Sequence, residues 1–548
     1  MIHTSSQTFA LVAPEIVLVL AALAAYLGGA FAGLRAGWLA AAAGIVAAMA
    51  VTQGPAGGAA FSGGVVVDEF ATFIRWTVLS LGLLLCLVQA GDLFPAAVSP
   101  GPGLRRGGTC EEAGTFLLLL AGLSLVGVAG DLVLLFAGLE LVSIPTYVLL
   151  GLRRTDARGQ EASLKYFFLS LVASALFLYA LACLYGLGGS TDLQAIAARI
   201  HAESSSRAVQ VLVPLAAGLA IAGAAFRLAA VPMHFYAPDV YEGTCPGNAA
   251  LLSTLPKVAG VVVLARLVGV VAGASPDLLW RIVVAVAAVT MTVGNVTALW
   301  QTNLRRLLAC SSIAHAGYLL VGIAVLAAAP AAAGPQSLPF AAGGLAATLF
   351  YLATYSLATI GLFGAIAYLG HRWPEWSNGS GPRPPREEIA TVDDLDGLST
   401  TNPVAALAIT VFLLSLAGIP PLPGFFGKLA LALTALDVDA SAPIALGSRR
   451  AWFMGLTVLL VLNAAIAAAY YLRIIAAMYF KSTKRGVQAD GGLAAGVAML
   501  ACLVLVGMVT IQPRGLFAAA SRAGARVPAT TAGPDSSRGL DAVAATPR

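Results

Sequence analysis

Apolar residues run along this chain in long stretches separated by short polar breaks. A helix of roughly 20 such residues crosses a bilayer core of about 30 Å. The stretches lie near 11–31, 36–52, 70–90, 113–129, 131–151, 162–187, 208–231, 246–273, 278–300, 304–328, 338–370, 403–436, 452–480 and 491–511, about fourteen spans. Strict alternation of the kind that marks barrel strands is absent, and a helix satisfies its own backbone groups in lipid. The pattern therefore predicts an all-α, multi-pass membrane protein. Longer polar loops cover 91–112, 188–207 and 371–401, the last with the flexible segment "SNGSGPRPPREE". Residues 1–30 lack a basic leader, so 11–31 reads as a retained span. The Ala/Ser/Thr/Pro/Arg-rich tail from 519 is expected to be disordered.

Two spans break their own pattern. "GAAFRLAAVPMHFYAPDVYEG" (223–243) meets Pro232 and Pro238, and "GIPPLPGFFGK" (418–428) meets Pro420, Pro421 and Pro423. Proline removes an amide donor and clashes with the preceding turn. The freed carbonyls need a partner that lipid does not offer, so both breaks belong inside the bundle. They also fall at matching places in a faint repeat. "YVLLG" (147–151) pairs with "YLLVG" (318–322), Tyr166 with Tyr351, and Pro232 with Pro420. A duplicated five-helix unit is implied, and an odd helix number makes the second copy inverted. Broken helices in inverted halves point to a transport site at the membrane midplane. The expected organisation is a three-helix segment (1–112), repeat 1 (113–273), repeat 2 (274–481), a last helix (482–518) and the tail (519–548).

Composition narrows the function classes. Of 548 residues, 59% are hydrophobic and 10% charged, against about 25% charged in soluble domains. The net charge of +5 comes from scattered loop arginines, not from a nucleic-acid face. The six cysteines are isolated, so they read as small core residues rather than ligands of zinc or an iron–sulfur cluster. No phosphate loop or strand-borne dinucleotide fingerprint is present, and no Ser/His/Asp cluster stands out. With an external N-terminus, basic residues divide roughly fourteen to six in favour of the internal loops, tail excluded. Both termini are then outside.

A charge at the bilayer centre costs about 2.5–3.5 kcal/mol or more, so each buried one has to be explained. Glu140 lies mid-span in "LLFAGLELVSIPTYVLLG", with Arg227 as its nearest plausible counter-ion. Lys257 follows Pro256, and Lys428 follows the second break. His234 and His315 suit a proton relay, since an unperturbed imidazole titrates near neutral pH, although a lone buried histidine is often merely hydrogen-bonded. Lys165 suits either a relay or an interfacial anchor. Arg266 is read as snorkelling to the surface, Arg75 and Arg473 as peripheral, and Asp131 and Asp239 as caps or loop charges. Burial disfavours a charged ammonium and a nearby carboxylate favours it. A row of such groups, with water between, is a proton path.

These residues also carry a resemblance. "GLELVSIPTYVLLG", "EASLKYFFLS", "AAVPMHFYAPDVYEG", "SSIAHAGYLLVG" and "GIPPLPGFFGKLAL" occur in that order. Together they resemble the subunit N family of proton-pumping NADH–quinone oxidoreductase, respiratory complex I, over residues 115–480. Subunits L and M and the large subunits of cation/proton antiporters share the core, and "PDVYEG" after "VPMH" favours N. The resemblance implies a proton-translocation chain of Glu140, Arg227, Lys257 and Lys428 with Lys165, His234 and His315 beside it. It implies no cofactor in this chain. FMN and iron–sulfur clusters would lie in partner subunits, which would also bind NADH and quinone. Other membrane subunits and the lipid of a bacterial plasma membrane would be its partners.

Two departures stand out. The family usually has lysine where Arg227 stands, and arginine stays charged at any working pH. The family also usually reads something like "APTPVTAFLS" where this chain has "TCPGNAALLS" (244–253). An antiporter subunit and a structural paralogue with impaired pumping remain alternatives.

Overall fold

The computed structural model describes residues 6–32, 36–52, 58–90, 110–154, 156–271, 276–328, 343–372, 387–445, 447–482 and 487–525. The chain opens with α1 (Ser6–Leu11), α2 (Ala13–Ala32), α3 (Gly37–Val51) and α4 (Glu69–Gln89). Then follow α5 (Cys110–Val128), α6 (Leu132–Arg153), α7 (Ala157–Gly188), α8 (Leu193–Ala202), α9 (Arg207–Leu228) and α10 (Ala237–Gly243). The middle contains α11 (Pro246–Val271), α12 (Pro276–Leu299), α13 (Leu304–Ala328) and α14 (Gly344–Leu369). The last part has α15 (Leu398–Thr401), α16 (Pro403–Ala417), α17 (Pro423–Leu436), α18 (Arg449–Phe480), α19 (Leu493–Ile511) and α20 (Pro513–Ala525). Twelve of these are long and apolar enough to span a membrane, and α3, α16 and α17 are shorter apolar helices. The all-α membrane class is borne out.

Short strands occur only in the described loops. A hairpin, β1 (Gly58–Ala60) with β2 (Val65–Val67), lies between α3 and α4. A three-stranded antiparallel sheet joins β3 (Gly370–Arg372) to β4 (Glu387–Glu388) and β5 (Val487–Ala489). β4 takes up the end of the segment expected to be flexible, and 373–386 lie outside the described residues, as do 91–109. The expected loop 188–207 contains α8. Residues 519–525, expected in an unstructured tail, continue α20, because Phe517, Ala520 and Ala523 pack inward at helical spacing. Residues 526–548 lie outside the described set.

A helix that is apolar all round is buried. α11 and α13 fit this rule: both are enclosed, and α14 nearly so. They are the centre of the bundle, and they carry Lys257, His315 and a row of tyrosines. Around them, glycines bring helices close, as expected where packing rather than the hydrophobic effect holds helices together. A Cβ on Gly294 would stand 2.4 Å from Ala314 N, and one on Gly317 would stand 2.5 Å from Met291 Cγ, so α12 and α13 cross nearly in backbone contact.

Both expected helix breaks are present, and they end their helices in the same way. α9 stops at Leu228 with Ala229 left-handed (φ 56°), and Ala230 N donates to Ala225 O at 2.7 Å. α16 stops at Ala417 with Gly418 left-handed (φ 84°), and Ile419 N donates to Leu414 O at 3.1 Å. This is the Schellman helix ending. A cis X–Pro peptide follows in each case, Val231–Pro232 and Pro420–Pro421.

Candidate functional site: a buried polar row between two helix ends

A helix end leaves carbonyls without intrahelical partners, and here lysines from neighbouring helices take them. Lys257 of α11 has 0% exposure; its Nζ donates to Leu228 O, the last residue of α9. It also donates to Ser312 O of α13 at 2.9 Å. Lys428 of α17, also buried, donates to Leu416 O and Ala417 O at the end of α16, both at 2.9 Å. Its ammonium lies 4.7 Å from the centre of the Tyr318 ring. The negative end of a helix dipole and a π face both favour a cation. Leu228 and Ala417 occupy the same position in the two endings.

Arg227 sits one residue before Leu228, in the last turn of α9. Its Nη2 is 3.7 Å from Glu140 Oε1 of α6. Its Nη1 donates to Ser143 Oγ at 2.7 Å and to Leu139 O at 3.4 Å. Ser174 of α7 donates to Glu140 Oε1 at 2.5 Å. The carboxylate side chain keeps 28% exposure while the guanidinium is buried. The expected pairing is thus present, as a loose ion pair with serines on both members. Tyr166, Phe226 and Tyr236 pack ring against ring behind Arg227.

Between the two lysines lies a hydroxyl-rich zone. Ser312 Oγ bonds Tyr355 OH at 3.0 Å, and Tyr355 OH donates to Ser253 O at 3.1 Å. The Tyr355 ring stacks on His315 with centroids 4.7 Å apart. His315 Nδ1 bonds Tyr351 OH at 2.6 Å and Nε2 bonds Tyr471 OH at 3.0 Å. Tyr471 also bonds Ser311 Oγ. Tyr318, under Lys428, accepts from Asn295, which in turn accepts from Tyr470 OH at 3.0 Å. The row Glu140, Arg227, Lys257, Ser312, Tyr355, His315, Tyr351, Tyr318 and Lys428 thus runs through the bundle, with Arg227 linked to Lys257 only through the backbone carbonyl of its neighbour Leu228.

Two predicted site residues stand apart from this row. Lys165 pairs with Asp239 at 2.9 Å and with Glu161 at 2.7 Å, with its side chain 40% exposed. His234 lies in the α9–α10 break, half-buried, and its Nδ1 has no partner among the described residues. Asp239 is more than a cap. With Glu242 it holds Arg306 of α13, at 2.9 and 2.7 Å, which gives the motif "PDVYEG" a packing role. Burial would raise the Asp239 carboxyl, but Lys165 and Arg306 hold it below its ordinary value.

The sequence reading missed the serines and tyrosines of the row. The polar residues 311, 312, 315 and 318 share one face of α13, and Tyr351 and Tyr355 are four apart on α14; both spacings were available signals. It also misplaced two arginines. Arg75 is buried and bonds Glu15 through two contacts of 2.9 Å, with Ser124 donating to the same carboxylate at 2.5 Å. Arg266 does not snorkel: it is buried, 3.4 Å from Asp68, donates to Gly127 O at 2.9 Å and lies over the Phe70 ring. Arg473 does remain peripheral, on the carbonyls of Leu299 and Gln301. Among the described residues, no three His, Cys, Asp or Glu side chains gather as a metal site.

The chain is similar to known proteins over most of its length. Residues 129–454 match the family model described as NADH:quinone oxidoreductase/Mrp antiporter, TM. NADH-quinone oxidoreductase subunit N 1 of Solibacter usitatus is 35% identical over 84% of this chain and 83% of its own length. Subunit N of Desulfovibrio desulfuricans is 35% identical over 92% and 94%. A chain in the structure of respiratory complex I from Thermus thermophilus with bound aureothin superposes with a TM-score of 0.70 at 28% identity, covering 93% of this chain and 99% of that one. A chain of the Mrp complex from Dietzia shares the fold, with a TM-score of 0.71 at 23% identity over 94% and 97%. The resemblance seen in the motifs is thus borne out over most of the chain, which belongs to the NADH-quinone oxidoreductase subunit N family of antiporter-like membrane proteins.

Proposed function

We propose that this chain is a proton-translocating membrane subunit of an NADH–quinone oxidoreductase, assembled with other membrane subunits in a bacterial plasma membrane. Redox chemistry, with its flavin, iron–sulfur clusters, NADH and quinone, belongs to partner subunits. The observation that carries the reading is the repeated device of a buried lysine seated on the open end of a broken helix, with His315 and tyrosine hydroxyls between the two copies. A lysine there can donate to the same carbonyls as ammonium or as neutral amine. Its charge can therefore change without loss of its position.

In this reading Lys257, Lys428 and His315 carry protons, with His234 and Lys165 at the approaches. Arg227 keeps its charge at any working pH, so it acts as a fixed electrostatic element. An ion pair at the Glu140–Arg227 separation is worth on the order of 4 kcal/mol at an effective dielectric near 20. Its opening or closing would change the field at the end of α9, where Lys257 sits. The matching helix endings support residues 113–273 and 274–481 as two inverted copies, and the basic bias of the loops supports external termini.

The test uses the intact complex in sealed vesicles, with proton uptake measured per quinone reduced. Lys428→Ala or Glu140→Ala is expected to remove most of this chain's share of the uptake while electron transfer continues. An unchanged ratio in fully assembled complex would sink the proposal.

A further inference from the structure

The proposed proton path makes no use of a groove that borders the same helix α14. It lies between α4, α14, α19 and α20 and has a volume of about 630 Å³, within the range of about 300–1,000 Å³ for ligand sites. The lining positions of α4 recur every third or fourth residue from Glu69 through Trp76 to Leu84, one helix stripe. Fifteen residues of helix span about 22 Å, and one bilayer leaflet with its headgroups is about 20–22 Å thick. The groove is thus as long as one leaflet is deep.

Its two ends differ in chemistry. Leu81, Leu84 and Leu357 line the deep part, whereas Glu69 and Arg522 stand at the mouth. Arg522 is exposed and belongs to α20, a helix with two arginines and no acidic residue. α20 is anchored by Ala520 and Ala523, while Leu516, Ala519 and Arg522 face the groove. An amphipathic helix with arginine on its polar side is the form that lies in a membrane interface. A guanidinium binds phosphate through paired N–H donors, and a carboxylate beside it suits a cation.

We propose that this groove binds one membrane phospholipid with a phosphate and an ammonium in its headgroup, an aminophospholipid of the ethanolamine type. One acyl chain lies along the α4 stripe, the phosphate on Arg522 and the ammonium towards Glu69. A purely anionic headgroup fits less well, because Glu69 would repel it.

The experiment uses the intact complex in vesicles of phosphatidylethanolamine and phosphatidylglycerol. A trace of phosphatidylethanolamine carries a photoreactive diazirine at its acyl end, and labelled peptides are mapped. Adducts are expected on the α4 segment around Leu81 and Leu84 and on α14 around Leu357. Ala519→Trp, which fills the groove, and Arg522→Glu, which alters only the exposed mouth, should each lower them at least about tenfold. Arg514→Gln, on the same helix but outside the groove, should leave them unchanged. Equal labelling by a phosphatidylglycerol probe, labelling that survives both variants, or no labelling because a neighbouring subunit or the chain's own tail fills the groove would each overturn the proposal.

Discussion

Lys257 and Lys428 are seated on main-chain oxygens, and each has a carboxylate-free surrounding among the contacts described, whereas Arg227 has serine, carbonyl and carboxylate together. The three cations therefore differ in what a proton can do to them. Arg227 binds two partners through Nη1 and faces Glu140 through Nη2, a fork that lysine cannot reproduce as a point charge. Removing one member of a buried pair is costly; discounted for the part-exposed Glu140, about 2 kcal/mol is expected, more than tenfold in a rate. Arg227→Gln should therefore slow NADH-driven proton uptake more than about tenfold in assembled complex. Arg227→Lys restores a cation and should leave uptake within about twofold of the native value, because the field of the pair is kept. Faster uptake with lysine would instead mark the native chain as a weakened pump and favour the paralogue reading. Blue-native gels separate either effect from failed assembly.

At the scale of elements, the two broken helices share a cap but not the residue that makes it. Gly418 takes φ 84° without a side chain, and an added Cβ would meet Lys428 Cδ at 2.9 Å. Ala229 takes φ 56° with its methyl in place, at a cost of about 1–2 kcal/mol for an L-residue. The same substitution reversed thus has opposite consequences. Ala229→Gly should raise the thermal stability of the subunit, by up to about 1 kcal/mol, with proton uptake unchanged. Gly418→Ala should strain the ending of α16, displace Lys428 and lower proton uptake per quinone. Equal pumping in Gly418→Ala would detach Lys428 placement from function. The breaks themselves were legible in the sequence, since two or three prolines fall within a few residues there, whereas the single prolines Pro145, Pro214 and Pro256 stay inside continuous helices. The seat of each lysine was not legible, because it depends on a carbonyl from a different helix. The tyrosine row was hidden for another reason. Tyrosine is amphipathic, and in an apolar run only its helical spacing shows that the hydroxyls converge.

At the scale of the molecule, spans and their order followed from apolar run length, and charges inside spans pointed to Glu140, Lys257 and Lys428. Partners distant in sequence did not follow: Glu15 and Arg75 are sixty residues apart, and α20 reads as a tail until its inward face is known. The same limit hid a clasp that joins the two proposed halves at one end of the bundle. Glu388 on β4 accepts from Arg305 at the start of α13 at 2.8 Å and from Arg154 at the end of α6 at 3.3 Å. Arg305 also donates to Thr244 O at 2.6 Å, so the clasp reaches the linker between α10 and α11. Burial would raise the Glu388 carboxyl, but the two guanidinium groups outweigh it and hold it below its ordinary value. A carboxyl lowered in the folded state adds stability that is complete above its unfolded pKa, about 4.3 for glutamate, and fades as pH falls through the folded value. Glu388→Gln should therefore destabilise the subunit by about 1–3 kcal/mol at neutral pH. The difference in thermal unfolding between native and variant complex should stay level from about pH 8 to pH 6 and shrink only below the ordinary carboxylate range. A difference that persisted unchanged far below that range would mean that the clasp holds through its hydrogen-bond geometry and not through the Glu388 charge.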